Sequence, residues 1–384
     1  NSLRENDIVV GVSQSGETKD LVDIFNDIRK VCSDKVQLLT IVNNENSTLP
    51  QEKSDFYLPI MCGSEIAVAA TKSFISQIAL FYILAALVKN EEDDVFNDLK
   101  KIRYFMDFTL KNIDIPVSDT ALKLFMKPSI HILGTSLTGL AKEGALKIRE
   151  VVLNHTEGYD AAEFKHGPNT ILGKNTIYSL TDMELLLGNM IEMFEQLFDK
   201  GFLKGNGAKA DMVREYTNTV KNLKFRKVDD DTVIKPFTSK EDRNAMKKMY
   251  SLFAEKTGIE NFFSNYPLVF VCPPDERDKR ITISQIHTHK IRGADIVLIS
   301  EDDDDLKKAA TGKPASTGKY WSKFIELPRT GDRNIFIFEA AVVLQLLAFK
   351  MSVAKMKYLN RSQIENHGVH PDVPKNVSKS ITVD

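Results

Sequence analysis

The apolar residues of this chain fall into short continuous runs and into longer stretches with helical spacing. The first run, Asp-Ile-Val-Val-Gly-Val at 7–12, is typical of a strand that is buried on both faces of a parallel sheet. Similar runs lie at 36–42, 129–134, 268–272, 295–300 and 324–328. A shorter run at 56–60 contains Pro59 near its end, which favours an edge strand.

Apolar residues at helical spacing follow most of these runs. They are found at 21–31, 66–88, 95–112, 141–152, 278–291 and 335–358. Strands that alternate with helices predict an α/β fold, here with two doubly wound parallel-sheet halves at 1–115 and 116–384. A doubly wound half usually has a strand and a helix before such a first run, so we expect the front of the first half to be missing from this chain.

Two segments of the second half lie outside the minimal α/β pattern. Residues 183–266 predict an insertion that is helical at both ends and polar in the middle. The tail at 360–384 contains Pro371 and Pro374, which prevent a helix. An alternating apolar pattern at 377, 381 and 383 predicts that the tail packs down in an extended conformation.

The sequence Ser-Gln-Ser-Gly-Glu-Thr at 13–18 follows the first strand and opens the first helix. This order points backbone N–H groups and the positive end of the helix dipole at one spot, which suits a phosphate group. The turn lacks the glycine spacing of nucleotide-binding loops, so a small phosphoester is favoured over ATP or NAD. The alternative is that Ser15 or Thr18 only caps the helix.

Three charged residues of the helix at 141–152 share one face. Glu143, Lys147 and Glu150 stand at i, i+4 and i+7, so a carboxylate and an amine on this face can move protons between neighbouring atoms of a substrate. The alternative is a surface ion pair that contributes about 0.3–0.5 kcal/mol. Downstream, Gly167 and Pro168 predict a loop on which His166 can reach a ligand.

Composition and charge exclude some partners. The chain has 51 Lys+Arg against 53 Asp+Glu, a net charge of −2, which gives no reason to expect nucleic acid. The apolar run at 78–88 is too short to span a bilayer and predicts a buried helix, so we expect no membrane partner and a cytoplasmic location.

Metal and disulfide chemistry are not predicted either. Cys32, Cys62 and Cys272 are isolated, which fits buried thiols in a reducing compartment. The acidic run at 302–305 is several times more typical of a solvated turn than of a cation site. His287 and His289 alternate as in a strand or turn, without a third ligand at zinc spacing.

Five motifs together carry a resemblance to a known family. They are Ser-Gln-Ser-Gly-Glu-Thr at 13–18, Glu-Ile-Ala-Val-Ala-Ala-Thr-Lys at 65–72, Glu-Gly-Ala-Leu-Lys-Ile-Arg-Glu at 143–150, Glu-Phe-Lys-His-Gly-Pro at 163–168 and the last thirteen residues, 372–384. In this order they resemble the isomerase portion of the glutamine–fructose-6-phosphate aminotransferases (glucosamine-6-phosphate synthases), which consists of two sugar-isomerase (SIS) domains. The resemblance covers nearly the whole chain except the insertion.

The resemblance implies roles for particular residues. It implies that Glu150 moves a proton between carbons 2 and 1 of the sugar, that Lys147 shuttles a hydroxyl proton and that His166 assists ring opening in a neighbouring subunit of a homodimer. Lys379, on the tail, would contact the open-chain sugar or form a Schiff base with it. The implied substrate-binding residues are Ser13, Gln14, Ser15, Thr18, Val68 and Ser378. No cofactor is implied.

Three departures from the family pattern limit what is carried over. The glutaminase domain that releases ammonia would lie outside this chain. The front of the first SIS domain, with a further phosphate-binding hydroxyl, is not present, and Ala70 replaces a serine usual at that place. Beyond these three, the long insertion has no counterpart in the family pattern.

The leading hypothesis is therefore the conversion of fructose 6-phosphate to glucosamine 6-phosphate. A second hypothesis is another phosphosugar isomerase or a fructosamine-6-phosphate deglycase of the SIS type. A third is a phosphosugar-sensing protein without catalysis, which needs the 13–18 turn but has no use for Lys147, Glu150 and Lys379 together.

Overall fold

A computed structural model describes residues 3–173, 211, 226–228, 231–233, 265–314, 320–361 and 363–372 of the chain. Its strands are β1 (Ile8–Ser13), β2 (Gln37–Val42), β3 (Phe56–Pro59), β4 (Ser129–Gly134), β5 (His155–Asp160), β6 (Arg226–Val228), β7 (Asp231–Val233), β8 (Tyr266–Val271), β9 (Ala294–Glu301) and β10 (Ser322–Leu327). Its helices are α1 (Lys19–Cys32), α2 (Lys72–Lys89), α3 (Glu92–Asn112), α4 (Asp114–Leu124), α5 (Thr138–Val152), α6 (Glu276–Ile291), α7 (Asp304–Thr311) and α8 (Arg333–Arg361).

The first sheet is parallel and has the strand order β1-β2-β3, so the predicted edge position of β3 is confirmed. Helix α1 packs on one face of this sheet around Phe25 and Leu38. The prediction that β1 is buried on both faces is wrong: Ile8, Val10 and Val12 are exposed. Strand β1 is the other edge of the sheet, and its alternate side chains point to a face that the described residues leave open.

The second sheet is parallel and has the order β10-β9-β8-β4-β5. Numbered within this half, the order is 2-1-3-4-5, the doubly wound arrangement of flavodoxin-like folds. Helices α4, α5 and α8 cover one face and bury its apolar residues in the largest core cluster. The predicted α/β class with two parallel sheets is therefore confirmed.

Helix α8 packs against α3, which follows the first sheet in the chain, and against the helices that cover the second sheet. Ile335 and Phe338 of α8 pack with Ile102 of α3, and the Thr109 hydroxyl of α3 donates to Glu339 Oε1 at 2.7 Å. The other oxygen of the fully buried Glu339 carboxyl has no hydrogen-bond partner. Burial and the nearby charge of Glu301 raise the pKa of Glu339 to about 7, although the Thr109 hydrogen bond opposes this shift.

Helix α2 differs from its prediction in two respects. It begins at Lys72 rather than at residue 66, and only Ser73 and Ala86 of its residues are buried. Helices α2 and α8 are both long and apolar enough to cross a membrane by length and composition. These criteria are also met by helices of soluble folds; α8 is mostly buried in the core and α2 packs against α3.

Three elements were not predicted from the sequence. Strand β5 is polar because it is an edge strand, and helix α4 contains Pro116 within its first turn. Helix α7 begins within the acidic run: the Asp303 carboxylate accepts from the N–H groups of Asp305 and Leu306. The predicted turn at 302–305 is therefore a helix start.

Contacts divide the chain into two units, Asn1–Ile171 with Tyr266–Asp384, and Leu172–Asn265. Both parallel sheets belong to the first unit. In the second unit the described strands β6 and β7 pair antiparallel. The predicted helical ends of the insertion and the last part of the tail lie outside the described residues.

Candidate active site

The turn at 13–18 connects β1 to α1 and is held by its own hydroxyl groups. The buried Ser13 Oγ accepts the Gly16 N–H at 2.9 Å and lies 2.8 Å from Thr18 Oγ1. Thr18 stands at the N-cap of α1, yet its side chain does not cap the helix. Ser15 Oγ accepts only from Glu17 N, at 3.3 Å. Side-chain capping of α1 therefore does not explain these hydroxyls; Ser13 and Thr18 hold the turn together, and phosphate binding stays a prediction.

Gly16 shapes this turn in a way that other residues could not. Its φ of 72° is left-handed, and a Cβ atom at this position would lie 1.7 Å from Ser47 Oγ. The Glu17 carboxylate accepts from the N–H and the hydroxyl of Thr48, both at 2.8 Å. The turn is therefore closed against the segment that follows β2.

Asn43, just after β2, joins the carboxyl ends of all three strands of the first sheet. Its backbone N–H donates to the Gln14 carbonyl at 3.3 Å, and its side-chain amide donates to the Gly63 carbonyl at 2.7 Å. The carboxyl ends of parallel strands are where α/β folds bind ligands. The 13–18 turn and the segment after β3 thus meet at such an edge.

The segment that carries Val68 is irregular rather than helical. Glu65, which the sequence predicted as part of a helix start, caps α2 from a distance: its carboxylate accepts from Thr71 N at 2.8 Å and from the Ser73 hydroxyl. Val68 is half-buried in the loop that this contact closes. A loop leaves backbone groups available to a ligand, which suits the backbone role implied for Val68.

The three charged residues of α5 lie together, as their spacing predicted. Lys147 Nζ lies 2.8 Å from Glu150 Oε2 and 3.4 Å from Glu143 Oε1. The Lys147 side chain is 3% exposed, so the alternative of a surface ion pair is wrong. Glu150 is 21% exposed, which leaves this carboxylate reachable from one side.

Glu143 is the member of this group to which the sequence assigned no role. Burial raises the pKa of its carboxyl, Lys147 opposes the shift, and the charges of Glu150 and Glu65 add to it. Glu143 Oε1 is buried, and it is held by the ion pair with Lys147 Nζ at 3.4 Å. Glu65 stands in the loop after β3, far from α5 in the sequence, so no local sequence pattern could have revealed its effect on the pKa of Glu143.

His166 lies on a different segment, which follows β5. It is exposed at the end of a 3₁₀ turn, Glu163–His166, rather than on a free loop. Phe164 anchors the turn with its ring 5.0 Å from that of His131 and 5.3 Å from that of His289. Among the described residues, no contact joins His166 to Lys147 or Glu150. Lys379 and Ser378 lie outside the described residues.

The described ranges contain no group of three or more His, Cys, Asp or Glu side chains arranged to hold a metal ion. His287 and His289 lie in helix α6, rather than in a strand or turn, with His289 buried and His287 exposed. In the acidic run, Asp303 forms an ion pair with Lys279 at 3.0 Å. The side chains of the candidate site that could act on a substrate are therefore hydroxyls, carboxylates and one buried amine.

Comparison with known proteins places this arrangement in context. Residues 1–87 match the SIS domain. The chain is 36% identical over 174 residues to the isomerizing glutamine–fructose-6-phosphate aminotransferase of Aquifex aeolicus, covering 45% of this chain and 28% of the relative. It is 34% identical over 213 residues to that of Sulfolobus acidocaldarius, covering 54% of this chain and 33% of the relative. The chain thus spans about a third of the length of the curated relatives it matches.

A solved structure supports the fold over nearly the whole chain. The C-terminal domain of glucosamine-fructose-6-phosphate aminotransferase from Francisella tularensis matches with a TM-score of 0.59 at 21% identity. The match covers 96% of this chain and 72% of that one. The similarity in sequence to these aminotransferases, which the motifs indicated, is confirmed.

Proposed function

We propose that this SIS-domain chain converts fructose 6-phosphate to glucosamine 6-phosphate, the sugar step of an isomerizing glutamine–fructose-6-phosphate aminotransferase. The observation that carries the proposal is the buried Lys147 amine held 2.8 Å from the Glu150 carboxylate. An amine and a carboxylate on one helix face, in a chain that also has a hydroxyl-rich turn before α1, fit a proton transfer between adjacent carbons of a phosphosugar. The relatives of similar sequence support this choice of reaction.

Substrate binding begins at the 13–18 turn. Ser13, Gln14, Ser15 and Thr18 hold the phosphate with hydroxyl, amide and backbone donors at the start of α1. Val68 offers its backbone to the sugar from the loop closed by Glu65, and Ser378 of the tail binds the sugar from the other end of the chain.

The chemistry then proceeds on the open-chain sugar. His166 assists ring opening, and Lys379 contacts the opened sugar or condenses with its carbonyl. Ammonia replaces the oxygen at carbon 2 as an imine, with release of water. Glu150 moves the proton from carbon 1 to carbon 2, Lys147 moves the hydroxyl proton, and the products are an aldehyde and an amine.

The remaining partners follow from the same proposal. A glutaminase domain outside this chain supplies the ammonia, and no cofactor takes part. The chain works in the cytoplasm as a homodimer in which His166 serves the neighbouring site. Its two SIS domains divide near residue 115, and the second carries the insertion at about 183–266 and the active-site tail at 360–384.

The test compares Glu150→Gln with the wild type. Isomerisation is followed as glucose 6-phosphate formed from fructose 6-phosphate, and amination as glucosamine 6-phosphate formed with added ammonium. Calorimetry measures the binding of fructose 6-phosphate. We expect Glu150→Gln to abolish both reactions and to bind the sugar nearly as well as the wild type. Glu326→Gln, which breaks a surface ion pair with Lys307 at 3.0 Å, is the control and should keep full activity.

Three results would contradict the proposal. Turnover by Glu150→Gln would show that Glu150 is not the base. Wild-type activity on fructosamine 6-phosphate, with no reaction of fructose 6-phosphate and ammonium, would favour a deglycase. Sugar binding without any turnover by the wild type would favour a sensor.

A further inference from the structure

The C-terminal end of α5 is fastened by side chains from another helix. The last carbonyl groups of a helix have no partner within the helix and need one elsewhere. Helix α5 ends at Val152, and the next residue, Leu153, is left-handed with a φ of 59°. Glu150 lies in this last turn, directly before Val151. Whatever holds these carbonyls therefore also holds the backbone of Glu150.

Two residues of α8 supply these partners. The Ser352 hydroxyl donates to the Val151 carbonyl at 2.7 Å, and Ser352 is fully buried. The Lys355 ammonium donates to the Val152 carbonyl at 2.9 Å. Ser352 and Lys355 stand at i and i+3, so they share one face of α8.

Asn154 extends the contact to a third element. Its side-chain oxygen accepts from Lys355 Nζ at 2.5 Å. Its side-chain amide donates to the carbonyls of Phe125 and Lys127, at 3.0 and 2.8 Å. These two carbonyls lie between α4 and β4, so the end of α5 is tied both to α8 and to the segment that enters β4.

Lys355 has opposing effects at the end of α5. Burial lowers the pKa of Lys355, which means that the folded protein disfavours its charged form. A positive charge does suit the negative end of the α5 dipole. An apolar residue on α8 would avoid the desolvation of an ammonium, but it would leave the Val152 carbonyl without the donor that Lys355 supplies.

We propose that Ser352 and Lys355 are positioning residues that fix the last turn of α5 and thereby the direction of the Glu150 carboxylate. The inference rests on the proposed function, because it needs Glu150 to act on a substrate. A general base works only within hydrogen-bond reach of the proton that it removes. The Lys147 amine binds one carboxylate oxygen of Glu150. The hydrogen bonds from Ser352 and Lys355 fix the backbone of the helical turn that contains Glu150.

Helix α8 gives this contact a second consequence. Helix α8 ends at Arg361, six residues after Lys355, and the chain then continues toward Lys379. The helix that orients the proposed base is thus the helix from which the tail departs.

The test uses the full chain with three lysine variants. Lys355→Met removes the donor, and Lys355→Arg keeps a cation that can bind carbonyl groups. Lys350→Met is the matched control, since Lys350 lies on the same helix and pairs at 2.5 Å with Asp114 of α4, away from α5. For each, kcat and KM are measured for the conversion of fructose 6-phosphate to glucose 6-phosphate.

We expect Lys355→Met to lower kcat by about 10- to 100-fold, as small misplacements of reacting groups do, with KM nearly unchanged. Lys355→Arg should recover most of the loss, and Lys350→Met should match the wild type. Ser352→Ala, which removes one hydroxyl, should lower kcat by a smaller factor. Thermal unfolding and calorimetric binding of fructose 6-phosphate show that each variant is folded; if Lys355→Met does not fold, Ser352→Ala and Lys355→Arg decide.

The outcomes separate this inference from the proposed function. An active wild type with unchanged kcat in Lys355→Met, or in Ser352→Ala where that variant decides, would overturn the inference and leave the proposed function standing. Equal losses in Lys355→Met and Lys350→Met, or a rise in KM alone, would also overturn it, because neither points to the direction of Glu150. A wild type that does not isomerise fructose 6-phosphate would overturn both.

Discussion

At the scale of single residues, Gly16 decides whether the 13–18 turn can form. Its left-handed backbone and its closeness to Ser47 are two separate requirements, and only glycine meets both. Gly63 has nearly the same φ, 71°, but no atom lies within 4 Å of the place where its Cβ would be. An alanine would therefore meet backbone strain alone at position 63, and both strain and a clash at position 16.

We expect Gly16→Ala to weaken the binding of fructose 6-phosphate by roughly tenfold or more, because the methyl group must displace Ser47 and open the turn. Gly63→Ala should cost about 1 kcal/mol of stability from its left-handed backbone and leave binding nearly unchanged. Calorimetric titration and urea unfolding of both variants measure the two effects. Equal affinities in the two variants would show that the turn does not hold the sugar phosphate.

Residue spacing predicted part of the site well. Glu143, Lys147 and Glu150 meet as their positions on a helix require, since that geometry is local. The burial of Lys147 and the field of Glu65 on Glu143 depend on how separate segments pack, and no pattern along the chain contains that information. The position of His166 relative to α5 also depends on how separate segments pack, so it could not be predicted from residue spacing.

At the scale of elements, the contact between α3 and α8 contains a carboxyl group that titrates near neutral pH. The folded state holds the proton of Glu339 up to about pH 7, whereas the unfolded chain releases it near the ordinary glutamate pKa of 4.5. This stabilising contribution is therefore complete below pH 4.5 and is lost as the pH rises through 7.

We expect Glu339→Gln to unfold with a free energy close to that of the wild type at pH 5 and to be more stable by up to about 3 kcal/mol at pH 8. The glutamine stays neutral and can still accept the Thr109 hydrogen bond. Urea unfolding at the two pH values measures the difference, with the exposed Glu365→Gln as the control. A difference between variant and wild type that does not change with pH would show that Glu339 does not titrate in this range.

The elements that the sequence predicted wrongly have a common physical cause. The start of α2 is displaced because Glu65 closes a loop with Thr71 and Ser73, a contact that competes with a continuous helix. The apolar run of β1 has the pattern of a strand that is buried on both faces, but β1 lies at an edge of its sheet. Local pattern identifies the kind of element, whereas burial and exact ends depend on neighbours that are distant in sequence.

At the scale of the whole molecule, the proposed site needs residues from two copies of the chain. If His166 acts on the neighbouring subunit, Glu150→Gln and His166→Ala should each be inactive alone. Dimers that contain one of each should have one intact site, so a random equal mixture should recover about a quarter of wild-type activity. Kinetics after unfolding and refolding the mixture measure this, and ultracentrifugation gives the oligomeric state. A mixture without activity would place His166 in the site of its own subunit, and activity of His166→Ala alone would exclude His166 from the reaction.

The proposed site also needs the end of the chain. Lys379→Ala should abolish isomerisation, because the amine that meets the open-chain carbonyl is lost. Lys375→Ala removes an amine four residues earlier on the same tail and should leave the rate nearly unchanged. Stopped assays with fructose 6-phosphate, beside calorimetric binding, measure both variants. Similar rates for the two would exclude Lys379 from the chemistry.

Helix α8 presents one surface to α3 and another to α4 and α5. If either sheet were combined with the corresponding part of a different protein, only one of these two surfaces of α8 would meet the side chains that it fits. Recombination within the coding sequence should therefore preserve function only when both sides are exchanged together, and the two sheets should be inherited as one block.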